Sequence, residues 1–458
     1  MSRHSLLLLS VLFVLGDSHA QWSKTELSQY KDHMAVAVAG SKAYFGGGFA
    51  VNASQTAQVS TDVVEIYDAR TGQWTFDKLS MARDWLEGVS LGSKVFFAGG
   101  WDSIGNLKTR VDIYDTLSLQ WSRAELSEAR RMMSPVSSGQ LVMFAGGQTM
   151  EGVSSRVDVF DTQTNLWSAM ELSEPRLGLS AAAAGDLVLF AGGLFFDGQI
   201  GSEVVKDVVD IYNRQTGTWS KAALSEPRLF MASAVVGSKI LFAGGQNING
   251  PSRRVDIFDV SNGQWSIDSL SEARAFDNNN QNAAVVCGKA YFVGGMFRSA
   301  TNYLKDFKTI DVYDPISQSW KIDSLPYPLL GHSVASVEDK LLVAGGFTLF
   351  PQGFIDVHKE VHIFSCTSTG LKEQKELVPD LHVFPNPCSG FFSISVPEDM
   401  DLSAAVLTLQ DLCGNVLISQ TGSDILNKLD VSRLEAGVYM VELRQGLLIY
   451  RSKVLIYE

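Results

Sequence analysis

One phrase recurs along this chain at a nearly fixed interval, and that periodicity limits its fold more than any single residue does. The copies are "QWSKTELS", "QWTFDKLS", "QWSRAELS", "LWSAMELS", "TWSKAALS", "QWSIDSLS" and "SWKIDSLP", with tryptophans Trp22, Trp74, Trp121, Trp167, Trp219, Trp265 and Trp320. Gly-Gly pairs, each ending an apolar run such as "KVFFAGG", begin at Gly47, Gly99, Gly146, Gly192, Gly244, Gly294 and Gly345, 46 to 52 residues apart. Between the pairs lies a third phrase, "VEIYD", "VDIYD", "VDVFD", "VDIYN", "VDIFD", "IDVYD" and "VHIFS". Self-similarity at such a period marks a repeat architecture. Alternation in "VDIYD" puts Val111 and Ile113 on one face and Asp112 and Tyr114 on the other, as in a strand packed on both sides. Each unit therefore reads as four short strands, a to d, separated by Gly and Asp/Asn turns. Units of this kind bury both faces only when arranged radially.

Counting places the ends of the ring. From Trp to the following Gly-Gly is 25 residues in six copies and 29 at Trp265, where "DNNNQN" is inserted. Trp22 thus begins a genuine d strand with no a, b or c strand before it. The seventh unit has a, b and c strands, but Leu371 stands where its Trp belongs. Residues 22–27 are expected to complete blade seven, so that both open edges are paired.

The ordered Gly-Gly, Tyr or Phe, and Trp, with seven residues from aromatic to Trp in all six internal copies, resembles the Kelch repeat over residues 22–365. The resemblance implies an all-β, seven-bladed β-propeller in which the seven repeat tryptophans are structural. The aromatic and indole side chains fill the wedges between blades, and the glycines permit close backbone approach.

Residues 1–20, with Arg3 and His4 before an apolar run from Leu6 to Leu15 and small residues at Ser18 and Ala20, read as a signal peptide. Residues 21–371 are then the propeller and 372–382 a charged linker. Residues 383–458 form a small β-sandwich. This last segment resembles the C-terminal sorting domain of type IX secretion substrates through Pro385, Asn386, Pro387, Gly390, Asp411, Gly414, Leu429, Asp430, Leu434, Gly437, Val438, Tyr439 and the terminal "KVLIY". The resemblance implies handling by the type IX machinery and a secreted or outer-membrane-surface location. No segment is long and apolar enough for a transmembrane helix. A net charge of −13 argues against nucleic acid and anionic lipid as partners. Four cysteines, Cys287, Cys366, Cys388 and Cys413, leave a Cys388–Cys413 pair and four free thiols both open.

Strand parity puts the long, varied bc connections and the da connections on one face, where binding surfaces are built. Two groups of candidate ligand-binding residues lie there. Nine residues after successive tryptophans sit Lys31, Arg83, Arg130, Arg176, Arg228 and Arg274, with Leu329 breaking the series. In Kelch domains that bind acidic peptides, arginines at such positions face the ligand. The alternative is local pairing with Glu128, Glu174, Glu226 and Glu272. The second group is Asn278, Asn279 and Asn280 with Phe297, Tyr303, Phe347, Phe350 and Phe354, amides and aromatics suited to a carbohydrate or to stapling their own loops.

No catalytic constellation emerges. His358 and His362 are four apart leading into a strand, about 13 Å of chain, which does not suit one metal ion. The repeated Asp112, Asp158, Asp210, Asp256 and Asp311 read as part of the repeat. No metal or cofactor is assigned. The resulting expectation is a secreted, non-catalytic module that binds extracellular glycan or protein. The alternative is a secreted carbohydrate-active enzyme, oxidase-, isomerase- or lyase-like, on the same scaffold.

Overall fold

The computed structural model describes residues 21–51, 58–197, 199, 201, 203–276, 282–298, 304–349, 355–366, 381–395, 402–411, 416–445 and 448–457. The chain divides into two compact units, Met1–Thr367 and Ser368–Glu458.

The first unit is a β-propeller. Its described residues form seven four-stranded antiparallel sheets, with short hairpins beside them. Sheet two is representative, running from inside to outside as Glu87–Leu91, Lys94–Ala98, Arg110–Asp115 and Gln120–Glu125. The innermost strands, Ala35–Ala39, Glu87–Leu91, Ser134–Ser138, Ser180–Ala184, Ala232–Val236, Ala283–Val286 and Ser333–Val337, define sheets one to seven. Each packs on the next, and the last packs on the first. Serine hydroxyls stitch the ring, as where Ser180 donates to the Met231 carbonyl at 2.6 Å and Ser333 to the Met34 carbonyl at 2.8 Å.

The alternation within "VDIYD" works as the spacing predicts. Val111 and Ile113 join Met133, Val142 and Phe144 between sheets two and three, while Tyr114 and Trp121 pack with Tyr44, Val64 and Ile66 between sheets one and two. The two rings of sheet two lie 5.0 Å apart between centroids, and Trp121 Nε1 donates to Asp77 of sheet one at 2.8 Å. The Gly-Gly pair serves the next junction. Gly99 and Gly100 have φ of 65° and 90°, and a Cβ on Gly99 would lie 2.4 Å from the Arg130 carbonyl oxygen of sheet three. Both conditions exclude other residues.

Sheet seven is assembled from both ends of this unit. Gln21–Glu26 pairs antiparallel with Glu360–Ser365, placing Trp22 opposite Phe364 and Lys24 opposite His362. Next to this junction, Cys366 is joined by a disulfide to Cys287, in the turn between the two inner strands of sheet six. The expectation that admitted four free thiols is corrected by this bond. Its partners lie 79 residues apart in sequence, and only folding brings the end of sheet seven against that turn.

The second unit pairs Val416–Thr421, Ala405–Gln410, Gly437–Gln445 and Leu448–Ile456 in one sheet, and His382–Phe384, Phe391–Ser395 and Leu429–Asp430 in another. Its core includes Phe392, Leu407, Leu409, Val441, Leu443 and Val454. Asn386 clamps the final strand, donating to the Lys453 carbonyl at 2.7 Å and accepting from the Leu455 amide at 2.9 Å. The peptide bonds before Pro385 and Pro387 are cis, and the Tyr439 hydroxyl donates to the Glu435 carbonyl at 2.8 Å. Gly437 opens the third strand of the larger sheet. Cys388 is a buried free thiol, whereas Cys413 and Gly414 lie outside the described residues.

Candidate functional site

The arginine series does not face a ligand. Arg83, Arg130, Arg176, Arg228 and Arg274 are each 0% exposed. Each guanidinium turns into its own sheet and pairs with the aspartate of the "VDIYD" phrase: Asp112, Asp158, Asp210, Asp256 and Asp311 respectively. Arg83 Nη1 also donates to the Gly99 and Arg110 carbonyls at 2.6 and 2.8 Å. Burial pulls its pKa down to about 10, against the attraction of Asp112, so it stays protonated at neutral pH. A buried guanidinium without a carboxylate partner would be costly, so the pairs belong together. The glutamates two residues earlier play a lesser part: Glu128 and Glu226 lie 3.5 and 3.7 Å from the Nε of Arg130 and Arg228, while Glu174 pairs with Lys206. The expected arginine ring is thus a set of internal latches.

The residue after each of Lys31, Arg83, Arg130, Arg176, Arg228, Arg274 and Leu329 occupies the place the arginines were expected to fill. There the connection entering each inner strand forms a rung with the residue just after the Gly-Gly pair. The rungs are Asp32 with Phe49, Asp84 with Trp101, Arg131 with Gln148, Leu177 with Leu194, Leu229 with Gln246, Ala275 with Met296 and Leu330 with Phe347. One residue further on, the chain turns through left-handed backbone at His33, Trp85, Met132, Gly178, Phe230 and Gly331, with φ from 47° to 61°. Six turns of the same hand repeat at this end of the ring, so that side chains from successive sheets converge. The rungs divide unevenly: ionisable residues occupy those of sheets one to three, while aliphatic residues begin those of sheets four to seven.

On the ionisable side, Asp32 is buried, with one oxygen 2.6 Å from His33 Nδ1 and the other accepting from Gln58 Nε2 at 2.7 Å. The His33 ring lies against Trp85, centroids 4.3 Å apart, with Phe49 and Phe347 at 6.2 and 6.0 Å. Asp84, 2% exposed, accepts the Ser60 hydroxyl at 2.5 Å through Oδ2. Its Oδ1 is buried without a partner among the described residues, as is Trp101 Nε1. Leaving such an atom unpaired costs about 1–3 kcal/mol. Burial raises the Asp84 carboxyl above its usual range, against the Ser60 hydrogen bond and the attraction of Arg131 and His33. The Arg131 guanidinium stacks over Trp101 at 3.9 Å, lies 5.8 Å from the Trp85 ring, and donates through Nε to Gln148 at 2.9 Å. Trp85, Trp101 and Arg131 are partly exposed.

Of the second expected group, Phe347 reaches this cluster beside His33. Phe297 lies on the Met296–Arg298 strand, partly exposed, one residue beyond a rung. Asn278, Asn279, Asn280, Tyr303, Phe350 and Phe354 lie outside the described residues. The sequence reading passed over Asp32, His33, Asp84, Trp85, Trp101 and Arg131. The available signal was an offset: one residue after Lys31, Arg83, Arg130, Arg176, Arg228, Arg274 and Leu329, the repeat changes from ionisable Asp32, Asp84 and Arg131 to aliphatic Leu177, Leu229, Ala275 and Leu330.

Sheet seven departs from the latch in a coordinated way. Leu329 replaces the arginine and His362 the aspartate, while Pro326, lacking an N–H, replaces the serine that donates to the aspartate elsewhere. His362 Nε2 instead meets the Tyr327 hydroxyl at 3.1 Å, and the Tyr327 ring packs against His358, centroids 4.6 Å apart. Among the described residues no group of three or more His, Cys, Asp or Glu side chains is arranged to hold a metal ion.

Residues 136–346 match the family model described as the KLHDC2/KLHL20/DRC7 Kelch-repeats domain, and residues 382–457 match the secretion system C-terminal sorting domain. The chain carries a Kelch-repeat domain and a type IX sorting domain. No curated protein matches the sequence. The sorting domain indicates handling by the type IX secretion system and a secreted or outer-membrane-associated protein. No helix among the described residues is long and apolar enough to cross a membrane. The arginine–aspartate latches are buried within the sheets, and repeat tryptophans such as Trp121 and Trp167 pack between them.

Proposed function

We propose that the Kelch domain is a non-catalytic binding module, exported with its sorting domain, which recognises extracellular glycan or protein through the face formed by its bc and da connections. One observation carries this reading. Partly exposed Trp85, Trp101 and Arg131 gather around the buried carboxylates Asp32 and Asp84, and the rung positions of Asp32, Asp84 and Arg131 are taken by Leu177, Leu229, Ala275 and Leu330 in the other four sheets. Aromatic faces beside a few convergent polar groups are the usual composition of a binding site. The scaffold does not need them, because the same rungs form around Leu177, Leu229, Ala275 and Leu330.

The test is a screen of the full chain against immobilised glycans and extracellular proteins, with bound partners retested after Trp85→Ala. The expected result is saturable binding that this substitution abolishes while the melting temperature holds. Binding indifferent to Trp85 would move the site elsewhere on the domain. Release of reducing ends or unsaturated products from a glycan would replace this reading with that of a carbohydrate-active enzyme.

A further inference from the structure

The rung between Asp84 and Trp101 holds two unmet hydrogen-bonding requirements of opposite kind. Asp84 Oδ1 is an acceptor and Trp101 Nε1 a donor, and both are buried without partners among the described residues. Their residues exchange both backbone hydrogen bonds, Asp84 N to Trp101 O at 3.0 Å and Trp101 N to Asp84 O at 2.8 Å. Directly opposed residues of an antiparallel pair project to the same side, so the two requirements arise from one rung on one face. Buried polar groups left unpaired in a native protein call for a specific cause. The fold does not impose them, since Leu177 with Leu194 makes the same rung in sheet four.

From this juxtaposition we infer that Asp84, Trp101, Arg131 and Trp85 form a subsite for a neutral saccharide ring, an assignment that rests on the binding-module reading and names its ligand class. A hydroxyl is both donor and acceptor, and neighbouring hydroxyls of one sugar answer Oδ1 and Nε1 together. Charge selects against ionic ligands. A cation attracted to Asp84 meets the Arg131 guanidinium, and an anion attracted to Arg131 meets Asp84 with Asp32 behind it. A neutral polyol opposes neither sign. The partly exposed indoles of Trp85 and Trp101 supply flat apolar surface for the C–H face of a sugar. Arg131 is the movable cover: its guanidinium lies on Trp101 and, among the described residues, is tied by one side-chain hydrogen bond, to Gln148. Its displacement would open the rung and free its terminal nitrogens for further hydroxyls.

The experiment is titration calorimetry of the full chain against neutral oligosaccharides (β-glucan, mannan, xylan and galactan fragments), acidic oligosaccharides and a mixed peptide library. The variants are Trp101→Phe, which keeps the ring and deletes the Nε1–H, Asp84→Asn and the more exposed Arg131→Gln. We expect a neutral oligosaccharide to bind, and Trp101→Phe to weaken it about tenfold with an unchanged melting temperature. Asp84→Asn and Arg131→Gln should each weaken it several-fold. If Asp84→Asn does not fold, the other two variants decide. Preference for acidic oligosaccharides or peptides would overturn the ligand class. So would neutral-sugar binding indifferent to all three substitutions, and in both cases the binding-module reading stands. No binding of any probe by the unaltered chain would remove the inference together with that reading.

Discussion

Arg83 Nη2 lies 2.5 Å from Asp112 Oδ2, with both side chains sealed from solvent. The other carboxylate oxygen accepts the Ser80 amide at 3.2 Å, so one aspartate fastens the loop entering its own sheet and the chain leaving the sheet before it. Removing one member leaves the other buried and uncompensated. Arg83→Met and Asp112→Leu are each expected to cost about 3–5 kcal/mol. The double variant should be more stable than the sum of the two losses predicts. Denaturant unfolding of the three variants checks this, and a single-variant loss below about 1 kcal/mol would show that the pair is not a latch.

Sheet seven, with His362 in place of that aspartate, should respond to acid. Burial, and secondarily Lys24, lower the His362 pKa, while Glu360 opposes and His358 reinforces the shift. A histidine with a depressed folded pKa binds protons less readily than in the unfolded chain. Its stabilising contribution is therefore complete above the unfolded pKa of about 6.5 and is lost as pH falls through the folded value. His362→Gln should flatten the decline in melting temperature between pH 7 and pH 5. Parallel profiles for the two proteins would dismiss the effect.

Trp22 packs on Phe364 at 5.5 Å between centroids but is only partly buried, and its Nε1 has no partner among the described residues. Trp22→Ala is expected to cost about 2–4 kcal/mol, toward the lower end of the range for large aromatics. Trp22→Phe should recover most of that because no indole hydrogen bond is lost. At Trp121, which donates to Asp77, the same change to Phe should be the more damaging of the two. Equal losses for Trp22→Phe and Trp121→Phe in urea unfolding would contradict this distinction.

The Cys287–Cys366 bond closes a long loop and holds the first residue after the Glu360–Ser365 strand against sheet six. Replacing both cysteines with serine should lower stability by about 2–4 kcal/mol. Reductant should produce a similar loss in the unaltered protein and none in the variant. A reductant-sensitive melting temperature in the double variant would trace the effect to another bond.

Much of the scaffold was legible because repetition converts a long-range arrangement into local spacing. Seven residues from aromatic to Trp and 25 from Trp to Gly-Gly describe hairpins whose partners lie near one another in the chain. The same count exposed Trp22 as a strand without its sheet, and Gln21–Glu26 does pair with Glu360–Ser365. The candidate site was not legible in that way. A charged residue at a fixed offset reads equally as ligand-facing or inward, and Arg83 turns inward because Asp112 offers a buried partner.

What the sequence determined by itself was the repeated four-strand unit, the residues that space it and the separate sorting domain, since each depends on patterns within a few tens of residues. Only the tertiary structure decided which polar groups were consumed by the scaffold. Folding sealed the Arg83–Asp112 pair, joined Cys287 to Cys366, and left Asp84 Oδ1 and Trp101 Nε1 buried without partners among the described residues. The physical reason is that a polar side chain's role is set by whether its hydrogen-bonding capacity is met, and the groups that meet it lie on other strands and other sheets.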